Sequence, residues 1–266
     1  MYNGIYAALS GSVVQEQRLA ILTNNLANIG TAGFKADKPI FQLFPLPVVV
    51  GPVPSLQAGG TVSPLPPQPV VTSLDRLLGR DSPQNRLLTV QTDFSQGPIR
   101  QTGNPLDLAL EGRGFFVVEG PGGGTAYTRQ GTFSINSEGF LVTPNGLLVQ
   151  GERGPIAIRG SQVTIDREGR VLVDQRFVDR LRLVDFPQPY PLVKMGDALF
   201  RTRSPLPEEE PTDLVVHQGA IELANSQPIR LMSEVIETVR AYEVYQKVLR
   251  AFDETTARAV NDIART

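Results

Sequence analysis

The sequence contains no cysteine and only one histidine, His217. The absence of cysteine excludes disulfide bonds, thiolate metal sites and cysteine nucleophiles. A single imidazole builds no zinc site unless thiolates or a carboxylate cluster accompany it, and His217 follows the apolar run Leu214–Val216. We therefore expect a protein without a metal ion or other cofactor, in which His217 is a structural or surface side chain.

The chain also lacks an excess of charge of either sign, because 25 lysine and arginine residues are balanced by 27 aspartate and glutamate residues. The net charge of -2 gives no broad field that would recruit nucleic acid or an anionic membrane. Residues 1–14 contain neither Lys nor Arg and no long apolar run, so no signal peptide or membrane span is predicted. We expect no nucleic-acid partner, no membrane insertion and, if the chain is exported, no cleaved leader.

Both ends of the chain show apolar and small residues at alternating three- and four-residue steps, which is the spacing of a coiled-coil seam. The N-terminal series contains Ile5, Ala8, Ser12, Gln15, Leu19, Leu22, Leu26 and Ile29. The C-terminal series contains Met232, Val235, Val239, Tyr242, Leu249, Thr256, Val260 and Ile263. The spacing predicts one long helix at each terminus. Isolated helices of this kind are marginal in water, so each seam needs either the helix at the other terminus or a second subunit.

The sequence between the two helices changes character twice. Nine prolines fall between Pro39 and Pro69, and because proline has no amide donor we expect an extended, irregular connection there. From about Asp93 to Leu223, short runs of Val, Ile, Leu and Phe alternate with turn residues, which predicts a body of β-hairpins. The predicted fold is mostly β with long terminal α-helices, a β-hairpin-rich central body plus an N- and C-terminal helical coiled-coil domain. The predicted segments are an N-terminal assembly helix over residues 1–36, a proline-rich extended connection over 37–80, a central β domain over 81–223 and a C-terminal assembly helix over 224–266.

Local signals predict particular turns and one helix cap. Asn145-Gly146 indicates a type I′ hairpin turn, which needs positive φ at both central positions. Ser137–Gly139 and Asp166–Gly169 predict two further hairpins. Ser226 and Pro228 are typical of a helix N-cap and a first helical turn.

Three other motifs suggest binding functions but have simpler interpretations. Gly120–Gly124 is glycine-rich, but no Lys-Ser or Lys-Thr follows, so we favour a hairpin tip over a phosphate loop. Glu208–Glu210 is flanked by prolines, and we interpret it as a solvated loop rather than a metal site. Phe115, Phe116 and Tyr127 alternate with Val and Leu, which favours core or subunit packing over ligand binding. No nucleophile, base and orienting group form a recognisable set, so the chain is not expected to be an enzyme.

Residues 24–35, with the sequence Asn-Asn-Leu-Ala-Asn-Ile-Gly-Thr-Ala-Gly-Phe-Lys, resemble the N-terminal signature of flagellar rod and hook proteins. Further resemblance lies in Thr102–Leu110, Gly112–Phe116, Tyr127–Gly131, Leu141–Thr143, Gly219–Asn225 and Arg240–Glu243. It covers most of the chain except the proline-rich stretch and the region from about residue 159 to residue 215. Ala224 departs from the family pattern, since many relatives carry Ser there.

The resemblance implies a structural subunit of the bacterial flagellar basal-body rod that serves motility. Its implied partners are other rod and hook subunits, with which it would self- and co-assemble through its terminal helices into a tubular axial structure. Export by the flagellar type III apparatus and residence in the rod that crosses the periplasm are also implied. The intermediate size of the chain is similar to that of the proximal-rod and distal-rod members. The alternative is a ligand-binding or enzymatic β domain with helical dimerisation arms.

The signature also has a physical interpretation. Asparagines at a helix end can bond free backbone groups, and glycine at the exit permits positive φ, so Phe34 would anchor a sharp turn. Together with the two seams, this predicts an assembly interface. Its residues are Ile5, Leu19, Leu22, Asn24, Asn25, Leu26, Asn28, Ile29, Gly33, Phe34, Met232, Val235, Val239, Tyr242, Leu249, Val260 and Ile263.

Overall fold

A computed structural model describes residues 2–44, 84–203 and 207–263 of the chain. Helix α1 spans Tyr2–Ala27 and helix α2 spans Pro228–Ile263. The strands of the described residues are β1 Asp37–Phe44, β2 Gln84–Thr92, β3 Ile99–Gln101, β4 Leu108–Glu111, β5 Phe115–Glu119, β6 Thr125–Thr128, β7 Ser134–Ile135, β8 Leu141–Val142, β9 Val163–Ile165, β10 Arg170–Val173, β11 Arg176–Arg180, β12 Leu183–Val184, β13 Leu192–Gly196, β14 Leu199–Thr202, β15 Val215–Gln218 and β16 Ala220–Glu222. The prediction of a β-rich chain with a helix near each terminus is therefore confirmed.

The proline-rich stretch lies mostly outside the described residues, and its first part forms a strand. β1 pairs with β2, so residues 37–44 are extended, as predicted, but form a regular strand rather than an irregular connection. Pro39 is compatible with this pairing because each strand of a two-stranded ribbon keeps one free edge, where a missing amide donor costs no ladder bond.

The strands form small antiparallel sheets. The largest has five strands in the order β12-β5-β6-β14-β13, and a three-stranded meander has the order β11-β10-β9. β15 pairs with β4, β16 with β3, and β7 with β8. The pairing of β9 with β10 across Asp166–Gly169 and that of β7 with β8 across Ser137–Gly139 match the predicted hairpins. By contrast, β12-β5, β6-β14, β15-β4 and β16-β3 join distant segments, which the local turn signals had not predicted.

The central body has two apolar clusters. The larger contains residues that the β alternation predicts to be inward, such as Leu108, Phe116 and Val171, all fully buried. The second is mainly aromatic and contains Phe115, Val117, Tyr127, Val184, Phe186, Leu192 and Phe200, with Phe94 and Tyr190 packed against it. Phe115, Phe116 and Tyr127 are thus core side chains, as the alternation with aliphatic residues indicated.

Three hairpin turns have the same backbone conformation and hydrogen bond. This shared pattern corrects one turn prediction. Gly146, Gly139 and Gly169 each have positive φ, and each amide donates to the carbonyl three residues earlier. Asn145 does not have positive φ, so the predicted type I′ turn is wrong. The central residues are Pro144 and Asn145, because proline's fixed φ suits the first central position of a type I turn and the following glycine takes the left-handed conformation.

The prediction that Ser226 is the N-cap of helix α2 is also wrong. Helix α2 begins at Pro228, as a first-turn proline suggests, but the buried Ser226 hydroxyl has no hydrogen-bond partner. The amide of Leu231 instead donates to the carbonyl of Gln227. Ser226 therefore lies one residue too early to act as the cap.

The chain divides into two compact units. The first contains Met1–Leu22, Pro39–Gln91 and Ser233–Thr266, and the second contains Thr23–Lys38 and Thr92–Met232. The first unit holds most of both helices, and the second holds the strands from β3 onward. Among the described residues, no helix combines the length and the apolar character that a membrane span requires.

Candidate assembly site

The residues that follow α1 are held by a side chain of the helix itself. Asn25 is 2% exposed, and its side-chain amide forms two bonds with the backbone of Asp37. The Asn25 Oδ1 atom accepts from the Asp37 amide at 2.9 Å, and Nδ2 donates to the Asp37 carbonyl at 2.8 Å. Asn28 Nδ2 donates to the Asn24 carbonyl in the last helical turn at 2.9 Å. Asparagines at this helix end therefore bond backbone groups, as predicted.

Gly33 and Phe34 turn the chain into the body. Gly33 has φ +67°, and a Cβ atom there would lie 2.3 Å from the carbonyl carbon of Arg129. Its amide donates to the carbonyl of Glu222 at 2.8 Å. Phe34 is 6% exposed, so its ring anchors the turn inside the second unit. A side chain larger than hydrogen has no room at position 33 and would also be strained.

A buried ion network lies beside this turn. The Lys35 ammonium donates to Glu222 Oε1 at 2.6 Å, and an Arg129 guanidinium nitrogen lies 3.2 Å from Glu222 Oε2. The side chains are 1%, 4% and 0% exposed for Lys35, Arg129 and Glu222. Glu222 Oε1 also accepts from the Gly97 amide at 2.8 Å. We call Lys35, Arg129 and Glu222 the buried triad.

Backbone carbonyls also accept hydrogen bonds from the two cations, although the buried Arg129 Nε atom has no hydrogen-bond partner. Lys35 donates to the Ser95 carbonyl at 2.8 Å, and Arg129 donates to the Gly112 carbonyl at 2.6 Å. Burial lowers the pKa of Lys35 below its ordinary value, against the opposing effect of the Glu222 carboxylate. The triad carries two positive charges and one negative charge, so these carbonyl dipoles help to stabilise the excess positive charge.

Asn225 joins two segments close to the start of α2. Its Oδ1 atom accepts from the Ala36 amide at 2.8 Å, and its Nδ2 atom donates to the Asp93 carbonyl at 2.7 Å. The Asp93 carboxylate pairs with Lys38 at 2.6 Å. Burial alone would raise the pKa of Asp93, but hydrogen bonds from Lys38 and Ser95 bring it below its ordinary value. Residues 33–37, 93–97 and 222–225 are therefore bonded to one another, and we call these segments the junction.

In the first unit, the two helices are antiparallel and contact each other through glycines. A Cβ atom on Gly4 would lie 2.8 Å from Phe252, and one on Gly11 would lie 2.5 Å from Tyr245. The two contacts are separated by one heptad along each helix and run in opposite directions. The aromatic rings therefore occupy space that any other residue at positions 4 and 11 would fill.

The predicted interface residues differ in burial. Leu22, Asn25, Gly33 and Phe34 are buried, whereas Asn24, Met232 and Val260 are exposed. The half-buried members are Ile5, Leu19, Leu26, Asn28, Ile29, Val235, Val239, Tyr242 and Leu249. Ile263 ends α2, and its side chain lies outside the described residues. Along α2, Leu231 and Thr238 are buried and Tyr245 and Phe252 contact glycines of α1, and none of these four residues belongs to the predicted series.

Comparison with known proteins identifies three ranges of the chain that match family models. Residues 5–35 match the model of the flagella basal body rod protein, residues 109–173 that of the flagellar hook protein FlgE/F/G D1 domain, and residues 217–262 that of the flagellar basal body rod FlgEFG protein C-terminal region. The chain is 32% identical over 268 residues to the flagellar basal-body rod protein FlgF of Caulobacter vibrioides, covering 100% of this chain and 99% of that protein. The chain belongs to the flagellar basal-body rod protein family.

Two further relatives show the same extent of similarity to this rod-family chain. It is 30% identical over 270 residues to the rod protein FlgG of Buchnera aphidicola, covering 96% of the chain and 97% of that protein. It is 31% identical over 276 residues to the rod protein FlgF of Escherichia coli, covering 97% of each. The family that residues 24–35 indicated is therefore confirmed, and both FlgF and FlgG are among its relatives.

The buried triad joins all three family-matched ranges of this rod protein. Lys35 lies in the first range, Arg129 in the second and Glu222 in the third. None of these three residues belongs to the predicted assembly interface. A signal was present, because all three charged residues lie inside the blocks that carried the resemblance, but nothing in a linear sequence shows that separated charges share one buried site.

The other motifs have structural roles in the rod protein. Glu209 and Glu210 are exposed, as the prediction of a solvated loop requires, whereas Glu208 is half-buried. Glu208 accepts from the Tyr127 hydroxyl at 2.8 Å and pairs with Arg182 at 2.6 Å. Burial and this hydrogen bond raise the pKa of Tyr127 above its ordinary value. Gly120–Gly124 connects β5 to β6 as a hairpin tip. Within residues 2–44, 84–203 and 207–263, no three acidic or histidine side chains form a potential metal site.

Proposed function

We propose that this chain is a structural subunit of the bacterial flagellar basal-body rod, assembled through its terminal helices. The observation that carries the proposal is the buried triad, in which residues of all three family-matched ranges meet. Lys35 and Glu222 are 187 residues apart, so the network fixes the exit of α1 against the segment that leads into α2. The rod-protein family is a family of structural proteins rather than enzymes. A fixed exit for each helix is what a subunit needs if its neighbours are to repeat at a constant geometry.

The terminal helices are proposed to form a coiled coil that serves assembly. Support comes from the heptad spacing of the Gly4–Phe252 and Gly11–Tyr245 contacts. Met232 and Val260 are 56% and 59% exposed, so they are available to a neighbouring subunit. The half-buried seam residues would be covered further by that neighbour. Under this proposal, residues 1–36 and 224–266 serve assembly and residues 81–223 form the body.

The proposed partners are other rod and hook subunits, with which the chain would build a tubular axial structure. A heterologous contact that repeats by rotation and rise, without closing into a ring, produces such a tube. Export by the flagellar apparatus and final residence in the rod across the periplasm belong to the same proposal. The chain would be a subunit of either the proximal or the distal rod.

The proposal is tested by replacing the chromosomal gene with tagged variants and purifying basal bodies. The wild-type chain should be recovered in the rod, and its deletion should abolish motility. Gly33→Ala and Gly30→Ala form a matched pair within one signature block. Gly33 has no room for a Cβ atom, whereas at Gly30 no atom lies within 4 Å. Gly33→Ala should be missing from basal bodies, and Gly30→Ala should behave as wild type. Normal motility without the chain would contradict the proposal.

A further inference from the structure

Lys194 connects a segment outside the family-matched ranges to the junction. It lies on β13, between the matched ranges 109–173 and 217–262. Its backbone position is set by antiparallel pairing with Phe200 on β14. Its side chain reaches residues 34–37, which overlap the last two residues of the N-terminal family match and extend beyond its end at residue 35. Neither the sequence signature nor the family models include this lysine.

Three different acceptors surround the Lys194 ammonium. It donates to the backbone carbonyl of Lys35 at 2.5 Å and pairs with Asp37 Oδ2 at 2.8 Å. It also lies 4.3 Å from the centroid of the Phe34 ring, a cation–π distance. The side chains of Lys194 and Asp37 are 23% and 19% exposed, so water screens this pair less than it would an ion pair on the surface.

The contact with Lys194 completes the bonding of Asp37. Asn25 already bonds the amide and carbonyl of Asp37, and the Thr92 hydroxyl donates to Asp37 Oδ1 at 2.8 Å. Lys194 bonds the remaining carboxylate oxygen. The segment after Gly33 is therefore held by α1 through Asn25 and by β13 through Lys194.

The chemistry of the site suits lysine better than arginine. An ammonium is a compact charge with three donors that can point to a carbonyl, a carboxylate and a ring face at once. A guanidinium is planar and larger, so it would keep the Asp37 ion pair but could not keep all three contacts at these distances.

We propose that Lys194 is a positioning residue, which holds residues 34–37 in the direction that rod assembly requires. The assembly part of this inference rests on the proposed function, whereas the effect on the junction does not. Two measurements therefore distinguish the effect of Lys194 on the junction from its effect on assembly.

The first readout is amide hydrogen exchange in the full-length chain. The Ala36 and Asp37 amides donate to Asn225 and Asn25, so they report on the junction. In Lys194→Met these amides should exchange at least about 10-fold faster, because local opening no longer breaks three contacts. The Leu108 amide, which donates to Gly131 within the body, should be unchanged. Lys194→Arg should give an intermediate rate.

The matched control is Arg201→Met, which removes one positive charge from β14, the strand paired with β13. Its exchange rates at Ala36 and Asp37 should equal those of the wild type. Unchanged exchange in Lys194→Met, or equal acceleration in Arg201→Met, would overturn the inference.

The second readout is recovery of each variant in purified basal bodies. Lys194→Met should be depleted at least about 10-fold relative to Arg201→Met, and Lys194→Arg should recover part of the loss. Faster exchange with normal incorporation would overturn the positioning role. Absence of even the wild-type chain from basal bodies would instead refute the proposed function, and the exchange result alone would then decide the role of Lys194 in the junction.

Discussion

Glu222 has no exposed surface, and its two carboxylate oxygens accept from the Lys35 ammonium, the Gly97 amide and the Arg129 guanidinium. A buried ion network adds little stability when it is compared with a well-packed apolar cluster, because each charge has lost its hydration. Removing one partner is much more costly, since it leaves uncompensated charge in the interior. The network therefore favours one arrangement of three distant segments over alternatives, rather than adding greatly to stability.

Glu222→Gln tests this view directly. The substitution keeps the shape of the side chain but leaves the buried cations Lys35 and Arg129 without a counter-charge. The free energy of unfolding should fall by about 3–5 kcal/mol, measured by urea denaturation. Glu111→Gln is the control, because Glu111 is 61% exposed and pairs with the single His217 imidazole, so its effect should stay below about 0.5 kcal/mol.

A second variant separates charge from packing. Lys35→Met in the Glu222→Gln background removes one of the two uncompensated cations. The double variant should then be less destabilised than the sum of the two single variants. Strict additivity would show that the three side chains do not act as one network.

At the scale of elements, the turns are stabilised by their own first residues. Asp166 Oδ1 accepts from the amides of Glu168 and Arg170, and Asn136 Oδ1 accepts from the corresponding amides of Glu138 and Phe140. Burial alone would raise the pKa of Asp166, but its bonds to Arg170 and Glu168 hold it below the ordinary value. Because neutral Asn occupies the equivalent place in another turn, the charge of Asp166 is not needed for the turn itself.

This equivalence predicts a pH effect. The depressed pKa means that Asp166 stabilises the fold fully above about pH 4, and this contribution is lost as the pH falls through the folded-state value. Asp166→Asn should stay within about 0.5 kcal/mol of the wild type at pH 7 and lose less stability between about pH 4 and 2. Asp166→Ala should cost about 1 kcal/mol at pH 7, because the turn amides lose their acceptor. Urea unfolding at several pH values measures both effects, and an equally steep acid loss in Asp166→Asn would contradict the assignment.

The helix pair gives a second prediction at this scale. Replacing a mid-helix glycine with alanine normally stabilises by about 1 kcal/mol. Gly11→Ala should nevertheless destabilise, because the new Cβ atom would lie 2.5 Å from the Tyr245 ring. In a Tyr245→Ala background the same change should stabilise. Helical circular dichroism during thermal unfolding measures the cycle, and a stabilising Gly11→Ala in the wild-type background would show that the helices are not in contact there.

Helices and hairpins that are determined by neighbouring residues could be predicted from the sequence. Contacts between distant segments could not. The helices follow from apolar periodicity, and the hairpins ending at Gly139 and Gly169 follow from residues within five positions of each other. Along α2, a 3.5-residue pattern with apolar residues at 231 and 232 fits two adjacent registers, so the pattern alone did not distinguish the buried Leu231 from the exposed Met232. No linear pattern indicated that Lys194, Arg129 and Glu222 take part in buried contacts, because these contacts depend on pairings such as β16 with β3, which span more than a hundred residues.

At the scale of the whole molecule, folding and assembly make different demands on the same helix. Side chains such as Thr238, at 1% exposure, are already buried within the chain. Val260 is 59% exposed, and one exposed apolar side chain is ordinary in a protein surface. Substitutions at these two kinds of position should therefore affect different measurements.

Val260→Asp should leave the unfolding free energy within about 0.5 kcal/mol of the wild type. Incorporation into basal bodies should fall sharply, because burial of an unpaired carboxylate against a neighbour costs several kcal/mol. Thr255→Asp is the control, since Thr255 is exposed and lies outside the predicted seam. Quantification of each variant in purified basal bodies gives the result. Equal recovery of Val260→Asp and wild type would remove Val260 from the interface.

The distance along the chain between Lys35 and Glu222 also sets a folding order. A hairpin turn closes a loop of 4 residues at Asp166, whereas the buried triad closes one of 187 residues. The entropy of loop closure makes the second step more costly by roughly 3 kcal/mol, so the hairpins form early and the junction forms late. Until Glu222 has been synthesised, Lys35, which follows α1, has no buried carboxylate with which to pair. The contact between Lys35 and Glu222 can therefore form only after most of the polypeptide has been synthesised and the strands that carry Glu222 have folded.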